Sequence, residues 1–313
     1  MKKILVVGSS NTDLIIKVPE IPRPGETLLG GQFQTFPGGK GANQAVAAAR
    51  AGGEVVFIAA VGDDSYGEMA IQGYKQDHIN TESIKICKGV PSGIAMITVS
   101  QAGENAITVA SGANNELSAS DLEEAEEPFA EADYMLVQLE TPLDTVLKAV
   151  ALCKEFKTRV ILNPAPAAEL SDKILAKVDI ITPNETEAEK LTGIVVSDEH
   201  SAARAADELH QRGIGTVIIT LGSKGAYLSD RKLGIQKLVP GFQVKAVDTT
   251  AAGDVFNGQL AVALTEGLAL EKAIVLAHAA AALSVQTLGA QSSVPRREKT
   301  DEFLKEKFKL SNS

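Results

Sequence analysis

The sequence predicts an α/β protein with a mostly parallel central sheet that is covered by helices on both faces. Short apolar runs of strand length alternate with longer segments whose apolar residues recur at helical spacing. We find no internal repeat and no linker that would divide the 313 residues. Because buried strands joined by helices form parallel sheets, we expect one large domain over residues 1–313.

The alternation can be followed along the chain. Strands are expected over residues 3–8, 55–60, 134–139, 159–162, 178–181 and 217–220, and an extended stretch over residues 242–246. Helices are expected after the glycine-rich residues 37–44, over residues 66–77, 143–156, 199–212 and 298–309, and from residue 252 onwards. The acidic run 121–131 is interpreted as one solvated helix face.

Two stretches interrupt this alternation and are expected to form a small second sheet. Residues 14–36 and 84–110 contain prolines and glycines, and their apolar residues alternate between these turns as in half-buried strands. Such a sheet would act as a lid that excludes water from a site beneath it. Its exposed edges and apolar face predict a homodimer that pairs the two lids.

The composition is that of an ordinary soluble protein and excludes several partners. The net charge of −10 and the pI near 5.0 argue against nucleic acid and anionic membranes. Cys87 and Cys153 match no metal or disulfide spacing. The start of the chain has too short an apolar stretch for a signal peptide, and the apolar run 273–285 is shorter than the ~18 residues of a membrane span. We therefore expect a cytoplasmic protein.

Polar residues follow the predicted strands where each strand ends. Because the carboxyl ends of parallel strands meet at one edge of the sheet, these residues predict a single cleft. Each has a simpler alternative: Asn11 or Asp13 could bond the local backbone, Glu140 could cap the next helix, and Asn184 with Glu187 could cap another. The residues concerned are Asn11, Asp13, Glu140, Asn184, Glu187, Ser223, Lys224, Gly225, Asp248 and Asp254.

A helix start at residues 251–254 is the most informative stretch. Ala251, Ala252 and Gly253 leave backbone N–H groups uncrowded, which suits a phosphate or a developing oxyanion. Asp254 could cap this helix or act as a base toward whatever these groups hold. By contrast, the run 37–44 fits neither the phosphate-loop pattern nor the dinucleotide fingerprint.

Together, residues 248–256, the glycine-rich run 37–44 and residues 61–64 resemble the signatures of the PfkB-type (ribokinase) family of sugar kinases. The resemblance extends from Gly8 to about Pro295. It implies a single Rossmann-like domain with a β-sheet lid, ATP as co-substrate, Mg²⁺ and an activating K⁺. The implied reaction is phosphoryl transfer from ATP to O5 of D-ribose, with a small-molecule sugar and ATP as partners and no nucleic acid or membrane.

The resemblance also implies roles for individual residues. Asp254 would be the catalytic base, with Ala251, Ala252 and Gly253 as the anion hole. Sugar binding is implied for Asn11, Asp13, Gly38, Gly39, Lys40, Gly41, Asn43, Glu140 and Asp254. Nucleotide binding is implied for Asn184, Thr220, Leu221, Gly222, Ser223, Lys224, Gly225, Gly253 and His278. Asn184 and Glu187 would hold Mg²⁺ through water, and a monovalent cation would lie among Asp248, Thr250, Ser284, Thr287, Gly289 and Ser293.

Other functions stay open at this point. Within the same chemistry, the acceptor could be deoxyribose, fructose, a keto-deoxy sugar acid or a nucleoside. An NAD(P)-dependent dehydrogenase would fit the α/β pattern but lacks the glycine fingerprint. A non-catalytic sugar sensor would keep the sugar residues but should have lost Asp254 or the glycine run, and both are present. A buried Asp248 could also simply cap the turn without any ion.

Overall fold

Two sheets of very different size make up the β structure of this computed structural model, which describes residues 3–29 and 31–310. In chain order the strands are β1 (Lys3–Val7), β2 (Asn11–Val18), β3 (Gln32–Gly38), β4 (Glu54–Gly62), β5 (Ile84–Cys87), β6 (Gly93–Ser100), β7 (Asn105–Ala110), β8 (Ala132–Val137), β9 (Arg159–Leu162), β10 (Ile180–Ile181), β11 (Thr216–Thr220), β12 (Gly225–Asp230) and β13 (Ile235–Pro240).

The helices connect these strands and cover the larger sheet. They are α1 (Lys40–Arg50), α2 (Ser65–Gln76), α3 (Ala119–Glu124), α4 (Glu127–Glu131), α5 (Leu143–Phe156), α6 (Asp172–Leu175), α7 (Glu185–Thr192), α8 (Glu199–Gln211), α9 (Ala252–Thr265), α10 (Leu270–Ser284) and α11 (Arg297–Leu310). None of the helices in the described part of the chain has the length and hydropathy needed to cross a bilayer.

The main sheet has nine strands in the order β13-β12-β11-β10-β9-β8-β1-β4-β5. Every neighbouring pair from β11 to β5 is parallel, whereas β12 and β13 run antiparallel at one edge. The predicted α/β class with a mostly parallel sheet is therefore confirmed. Strand β1 is in the interior, so the turn after it opens beside the ends of β4 and β8.

Each face of the main sheet has its own apolar core. Ile4 and Val6 of β1 pack with α1, α9 and α10, while Leu5 and Val7 pack with α5 and α8 on the other face. Successive side chains of a strand point to opposite faces, so a strand covered on both sides must be apolar throughout. This is why the sequence shows β1 as a continuous apolar run.

The small sheet has four strands in the order β3-β2-β6-β7, with β2 and β6 parallel. It leaves several apolar side chains exposed, namely those of Ile16, Phe33, Met96, Ile107 and Val109. A separate small sheet was predicted, and the fold contains one. The predicted lid segment 84–110 begins too early, however, because β5 at its start pairs with β4 and extends the main sheet.

Two further segments differ from the prediction. The acidic run 121–131 is not one helix face but parts of α3 and α4, which are separated at Ala125 and Glu126. The alternation of apolar residues over 242–246 predicts an extended stretch, but these residues form no strand. β13 ends before them, at Pro240. Pro128 in the first turn of α4 suits a new helix start and not the interior of a longer one.

Candidate active site

The start of α9 has an unusual backbone. Ala251 precedes the helix in the left-handed region, with φ 60°, and no side chain caps the helix. The N–H of Ala252 donates to the carbonyl of Thr249 at 3.3 Å. A Cβ added to Gly253 would meet no atom within 4 Å, so the space beside this residue is open. The first turn of α9 therefore presents its backbone to an open cavity, as an anion-binding helix start requires.

Asp254 lies in this first turn and is not a helix cap. Its carboxylate accepts hydrogen bonds from Asn43 Nδ2 and Gln44 Nε2, each at 3.0 Å. Burial raises the pKa of the Asp254 carboxyl, and the positive charge of Lys40 and the two amide donors oppose that rise only in part. The side chain is held toward α1 and lines a cavity, which leaves the alternative of a helix cap without support.

The glycine-rich run brings its backbone against β2. A Cβ on Gly38 would lie 2.5 Å from the Asp13 carboxylate oxygens. Gly39 has φ 89°, and a Cβ there would lie 2.6 Å from the backbone nitrogen of Asn11. Both positions thus require glycine, one for space and one for space and conformation. They place the start of α1 directly beside Asn11 and Asp13.

The charges around this loop influence one another. Burial raises the pKa of Asp13 to about 6, and the carboxylates of Glu140 and Asp254 add to the rise. Burial alone would lower the pKa of Lys40, but Asp254, Glu140, Glu187 and Asp13 outweigh it and the net pKa is raised. Lys40 is therefore positively charged and lies among the carboxylates that were predicted to share one cleft.

Glu140 closes the site from the end of β8. Its carboxylate accepts hydrogen bonds from Ser9 Oγ at 2.5 Å and from the backbone nitrogen of Lys40 at 3.0 Å. It does not cap α5, whose start at Pro142 has no side-chain cap. Gly41 packs on the same turn, since a Cβ there would lie 2.5 Å from the Ser9 nitrogen. The alternative of a capping Glu140 is thus wrong.

Asn184 and Glu187 form a capping box at the start of α7, so the simpler alternative for this pair is observed. The same residues also line a cavity of about 210 Å³ together with Lys40, Gly253 and Asp254. Burial raises the pKa of the Glu187 carboxyl, while its bond to the Asn184 nitrogen and the charge of Lys40 lower it. The capping box therefore holds the Glu187 carboxylate, whose oxygen atoms can serve as metal ligands, at the edge of the cavity beside Asp254.

A second cavity, of about 240 Å³, lies on the other side of the α9 start. Its walls are mostly apolar and include Phe242, Val244, Phe256 and Val285. His278 lines it as well, with its ring centroid 5.1 Å from that of Phe256, and burial lowers the pKa of this imidazole to about 4. Of the predicted loop 220–225, the residues on the cavity wall are Thr220, Gly222 and Ser223, whereas Leu221, Lys224 and Gly225 are not.

Asp248 is half-exposed, not buried as predicted. Its carboxylate accepts hydrogen bonds from the backbone and hydroxyl of Thr250, at 2.9 and 2.7 Å, and from the Gly289 nitrogen at 2.8 Å. Burial acts to raise the pKa of Asp248, but these bonds outweigh it and the pKa is lowered. An ionised carboxylate thus ties the turn before α9 to the segment after α10. The hydroxyls of Ser284 and Ser293 bond carbonyls near their own residues, Ala281 and Ala290.

Comparison with known proteins decides the family. The family model described as pfkB family carbohydrate kinase matches residues 1–297. The chain belongs to this family. It is 49% identical to a ribokinase of Haemophilus influenzae over 303 residues, which cover 97% of this chain and 98% of the relative. It is also 39% identical to a deoxyribokinase of Salmonella typhi over 302 residues, with 96% and 98% covered.

A solved structure of the same family has a closely similar fold. Ribokinase of Arabidopsis thaliana, in a complex with ribose and ATP, superposes with a TM-score of 0.89 at 31% identity. The superposition covers 97% of this chain and 99% of that one. This PfkB-family chain is therefore a carbohydrate kinase, and the alternatives of a dehydrogenase or a non-catalytic sensor are set aside.

Three contacts in the site of this PfkB-family kinase were not predicted. Asn114 Nδ2 donates a hydrogen bond to Asn11 Oδ1 at 2.7 Å. Ser9 Oγ donates to the Glu140 carboxylate, and Gln44 Nε2 donates to the Asp254 carboxylate. Ser9 and Gln44 are next to predicted residues in the sequence, which was a usable signal. Asn114 lies in a short 3₁₀ turn far along the chain, where nothing in the local sequence points to the site.

Proposed function

We propose that the protein transfers the γ-phosphoryl group of ATP to O5 of D-ribose, giving ribose 5-phosphate. The observation that supports this most directly is the start of α9: Ala252 and Gly253 line both the polar and the apolar cavity, and Asp254, directly after them, lines the polar one. Both the full-length similarity to a ribokinase and the similarity to a ribose- and ATP-bound ribokinase support ribose as the acceptor.

In this proposal the sugar lies among Asn11, Asp13, Gly38, Gly39, Lys40, Gly41, Asn43 and Glu140. Asp13 accepts hydroxyl hydrogen bonds, and Asp254 takes the proton of O5 as that oxygen attacks the γ-phosphorus. Phosphoryl transfer needs positioning and charge stabilisation more than covalent help. The N–H groups at Ala251, Ala252 and Gly253, together with Lys40, stabilise the charge that spreads over the phosphoryl oxygens.

The ATP base would occupy the apolar cavity, with the loop 220–225 and His278 at its rim. Glu187 and Asn184 fit the binding of Mg²⁺ through water, because they provide oxygen atoms at the wall of the cavity that Gly253 and Asp254 share. When bound, the ion neutralises phosphate charge. Lys40 and the backbone N–H groups at the start of α9 would orient the γ-phosphate toward Asp254.

The test is ADP release in a coupled assay over D-ribose, 2-deoxyribose, fructose and nucleosides. A site built to bond a hydroxyl strongly rejects an analogue without it, so ribose should exceed 2-deoxyribose in kcat/KM. The similarity to a deoxyribokinase makes this comparison necessary. Equal or reversed values would reassign the acceptor to a deoxysugar.

We also propose that K⁺ binds near Asp248, Thr250, Ser284, Thr287, Gly289 and Ser293 and activates the enzyme. The support is the ionised Asp248 carboxylate, which links the turn before α9 to the Gly289 backbone. Carboxylate and carbonyl ligands without a fixed geometry suit a large monovalent ion better than Mg²⁺, which demands near-octahedral ligands at short distance. Initial rates in tetramethylammonium buffer should rise when KCl is added; a flat response would contradict the proposal.

A homodimer through the lid is proposed from the exposed apolar side chains of the small sheet. Phe33 on β3 and Met96 on β6 are 63% and 60% exposed, which is unusual for apolar residues of one small sheet in a soluble protein. A second copy of this chain would cover them. Light scattering at micromolar concentration should give the dimer mass, and a fully active monomer would contradict it. The reaction is proposed to take place in the cytoplasm, where ATP is available.

A further inference from the structure

Behind Asp254 lies a group of buried amide side chains that the proposed reaction has not used. Gln44 is fully buried in α1, Gln138 is 1% exposed just after β8, and Asn163 is 6% exposed just after β9. Buried amides are costly unless they are hydrogen-bonded. Such a group beside a buried carboxylate therefore calls for a structural or functional explanation.

Gln44 is the centre of this group. Its Nε2 donates to Asp254 Oδ1 and to Asn163 Oδ1, both at 3.0 Å. Its Oε1 accepts from Gln138 Nε2 at 2.7 Å. An ionised carboxylate only accepts hydrogen bonds, so the nitrogen of Gln44 must face Asp254 and the oxygen must face Gln138. The side chain is thereby fixed in one orientation.

The two oxygens of Asp254 receive one amide donor each from neighbouring residues of α1. Asn43 Nδ2 bonds Oδ2 at 3.0 Å, and Gln44 Nε2 bonds Oδ1. Asn43 belongs to the proposed sugar site, but Gln44 points away from it into the core. Gln44 therefore constrains the carboxylate from behind without occupying space that a substrate would need.

The same hydrogen-bonded chain reaches the backbone of the α9 start. Asn163 Nδ2 donates to the Thr182 carbonyl at 3.4 Å, and Thr182 Oγ1 donates to Asn257 Oδ1 at 2.6 Å. Asn257 Nδ2 then donates to the Gly253 carbonyl at 2.8 Å. The side chain of the base and the backbone of the anion hole are thus linked through buried polar groups from five segments of the chain.

The Gln138 amide fits only because the residue packed against it, at position 8, is a glycine. A Cβ on Gly8, at the end of β1, would lie 2.1 Å from Gln138 Oε1. Any larger residue at this position would displace the amide that orients Gln44. The small residue after the first strand therefore has a role in the network as well as in the turn.

We infer that Gln44, supported by Gln138, is a positioning residue that holds the Asp254 carboxylate in the orientation needed to accept the proton of the acceptor hydroxyl. This inference rests on the proposed role of Asp254 as the base. A misplacement of about 1 Å can cost 10²-fold in rate, so the orientation of a base has a measurable effect.

Other charged groups also face Asp254, and they define what the loss of Gln44 would do. Lys40 at the start of α1 favours the ionised carboxylate, whereas Glu140 after β8, Asp13 on β2 and Glu187 on α7 are negative. Without the Gln44 donor, only Lys40 and Asn43 oppose the effect of burial. The Asp254 carboxylate would then be both less well oriented and easier to protonate.

The test is Gln44→Met, which nearly preserves side-chain volume and removes the hydrogen bonds to Asp254, Asn163 and Gln138. We expect kcat to fall by about 10- to 100-fold, with KM for D-ribose within about 3-fold of wild type because Gln44 would not contact the sugar. The acid limb of the pH profile of kcat should move up by about one pH unit, since a bond to a charged group is lost.

The matched control is Gln259→Met. Gln259 is 2% exposed on the same helix as Asp254, and its Nε2 has no protein partner among the described residues. This variant should leave both kcat and the acid limb unchanged. Gln138→Met removes only the bond to Gln44 and should change kcat in the same direction by about 2- to 10-fold. It also provides the test if Gln44→Met does not fold.

The outcomes distinguish a failure of the proposed function from a failure of the inference about Gln44. If wild-type protein releases no ADP with ribose or another sugar, the proposed function falls and this inference with it. If wild type is active and folded Gln44→Met or Gln138→Met keeps its kcat and acid limb, the inference alone is overturned. An equal loss in the Gln259→Met control would also overturn it, because the effect would then reflect packing only.

Discussion

The two sides of the Asp254 helix start offer different kinds of contact. What we propose to be the acceptor side, formed by Asn11, Asp13, Lys40 and Glu140, is built from polar side chains that carry charge or amides. What we propose to be the nucleotide side, formed by the walls of the 240 Å³ cavity, is mostly apolar. Polar side chains recognise the position of each hydroxyl, whereas an apolar wall recognises shape and area. We therefore expect strict choice of the acceptor and more permissive choice of the nucleotide base.

Titration behaviour follows the same division. On the acceptor side burial, and after it the nearby carboxylates of Glu140 and Asp254, raise the pKa of Asp13 to about 6. On the nucleotide side burial lowers the pKa of His278 to about 4, so that its ring is neutral at pH 7. The acceptor side thus keeps the Asp13 carboxylate ionised at neutral pH at a cost in folding stability, whereas His278 on the nucleotide side stays uncharged.

Asp254→Asn removes the proposed base and should have the largest effect. We expect kcat to fall by roughly 10²- to 10⁴-fold, the usual contribution of a general base. KM for sugar and for ATP should change little, because both sides remain intact. Steady-state kinetics measure this, and near-normal turnover would show that Asp254 only stabilises the helix start.

Asp13→Asn tests the acceptor side alone. Loss of a hydrogen bond from a charged acceptor should raise KM for ribose by about 10- to 100-fold. KM for ATP should stay within about 2-fold of wild type, since Asp13 is remote from the apolar cavity. If both KM values rose together, the division between the two sides would be wrong.

The same variant should be more stable than wild type at neutral pH. The raised pKa of Asp13 means that the folded state binds its proton more tightly than the unfolded state. Its contribution to stability therefore falls as pH rises from about 4 to about 6 and then stays constant. Urea unfolding should show Asp13→Asn to be the more stable protein at pH 7, with the difference absent near pH 4. A less stable variant at pH 7 would contradict this sign.

Val244→Ala tests the nucleotide side and should have the smallest effect. Removing two methyl groups from an apolar wall should raise KM for ATP by about 3- to 10-fold. KM for ribose should not change, in contrast to Asp13→Asn. Kinetics with both substrates varied provide the measurement, and a rise confined to the ribose KM would reverse the assignment of the two sides.

The parallel core was predictable because its strands are buried on both faces. Strands such as β8 and β9 show as continuous apolar runs for that reason. β5 was assigned to the wrong sheet: the apolar–polar alternation Ile84-Lys85-Ile86 is one that an edge strand of either sheet would show. The period identifies a half-buried strand but not its partner.

The site could be predicted to a similar extent. Residues in short runs that resemble the signatures of the PfkB family, such as Gly39 with Asn43 or Gly253 with Asp254, were assigned through that resemblance. The contacts of Gln44 and Asn114 were not, because they join segments more than 100 residues apart in the sequence. Burial of Asp248 was inferred from its neighbours, yet solvent reaches it because the turn 247–250 lies at the surface.

The central place of β1 has a consequence for the order in which the protein can be assembled during synthesis. β1 needs β4 and β8 as neighbours, and β2 needs β6, which begins only at Gly93. By contrast β11, β12 and β13 pair with strands that are adjacent in sequence. Contacts between distant segments form more slowly than local ones. β1, although it is made first, therefore waits longest for all its partners. In a ribosome-bound fragment that ends before Ala132, β1 would lack β8, and the turn that follows β1 would lie on an incomplete sheet.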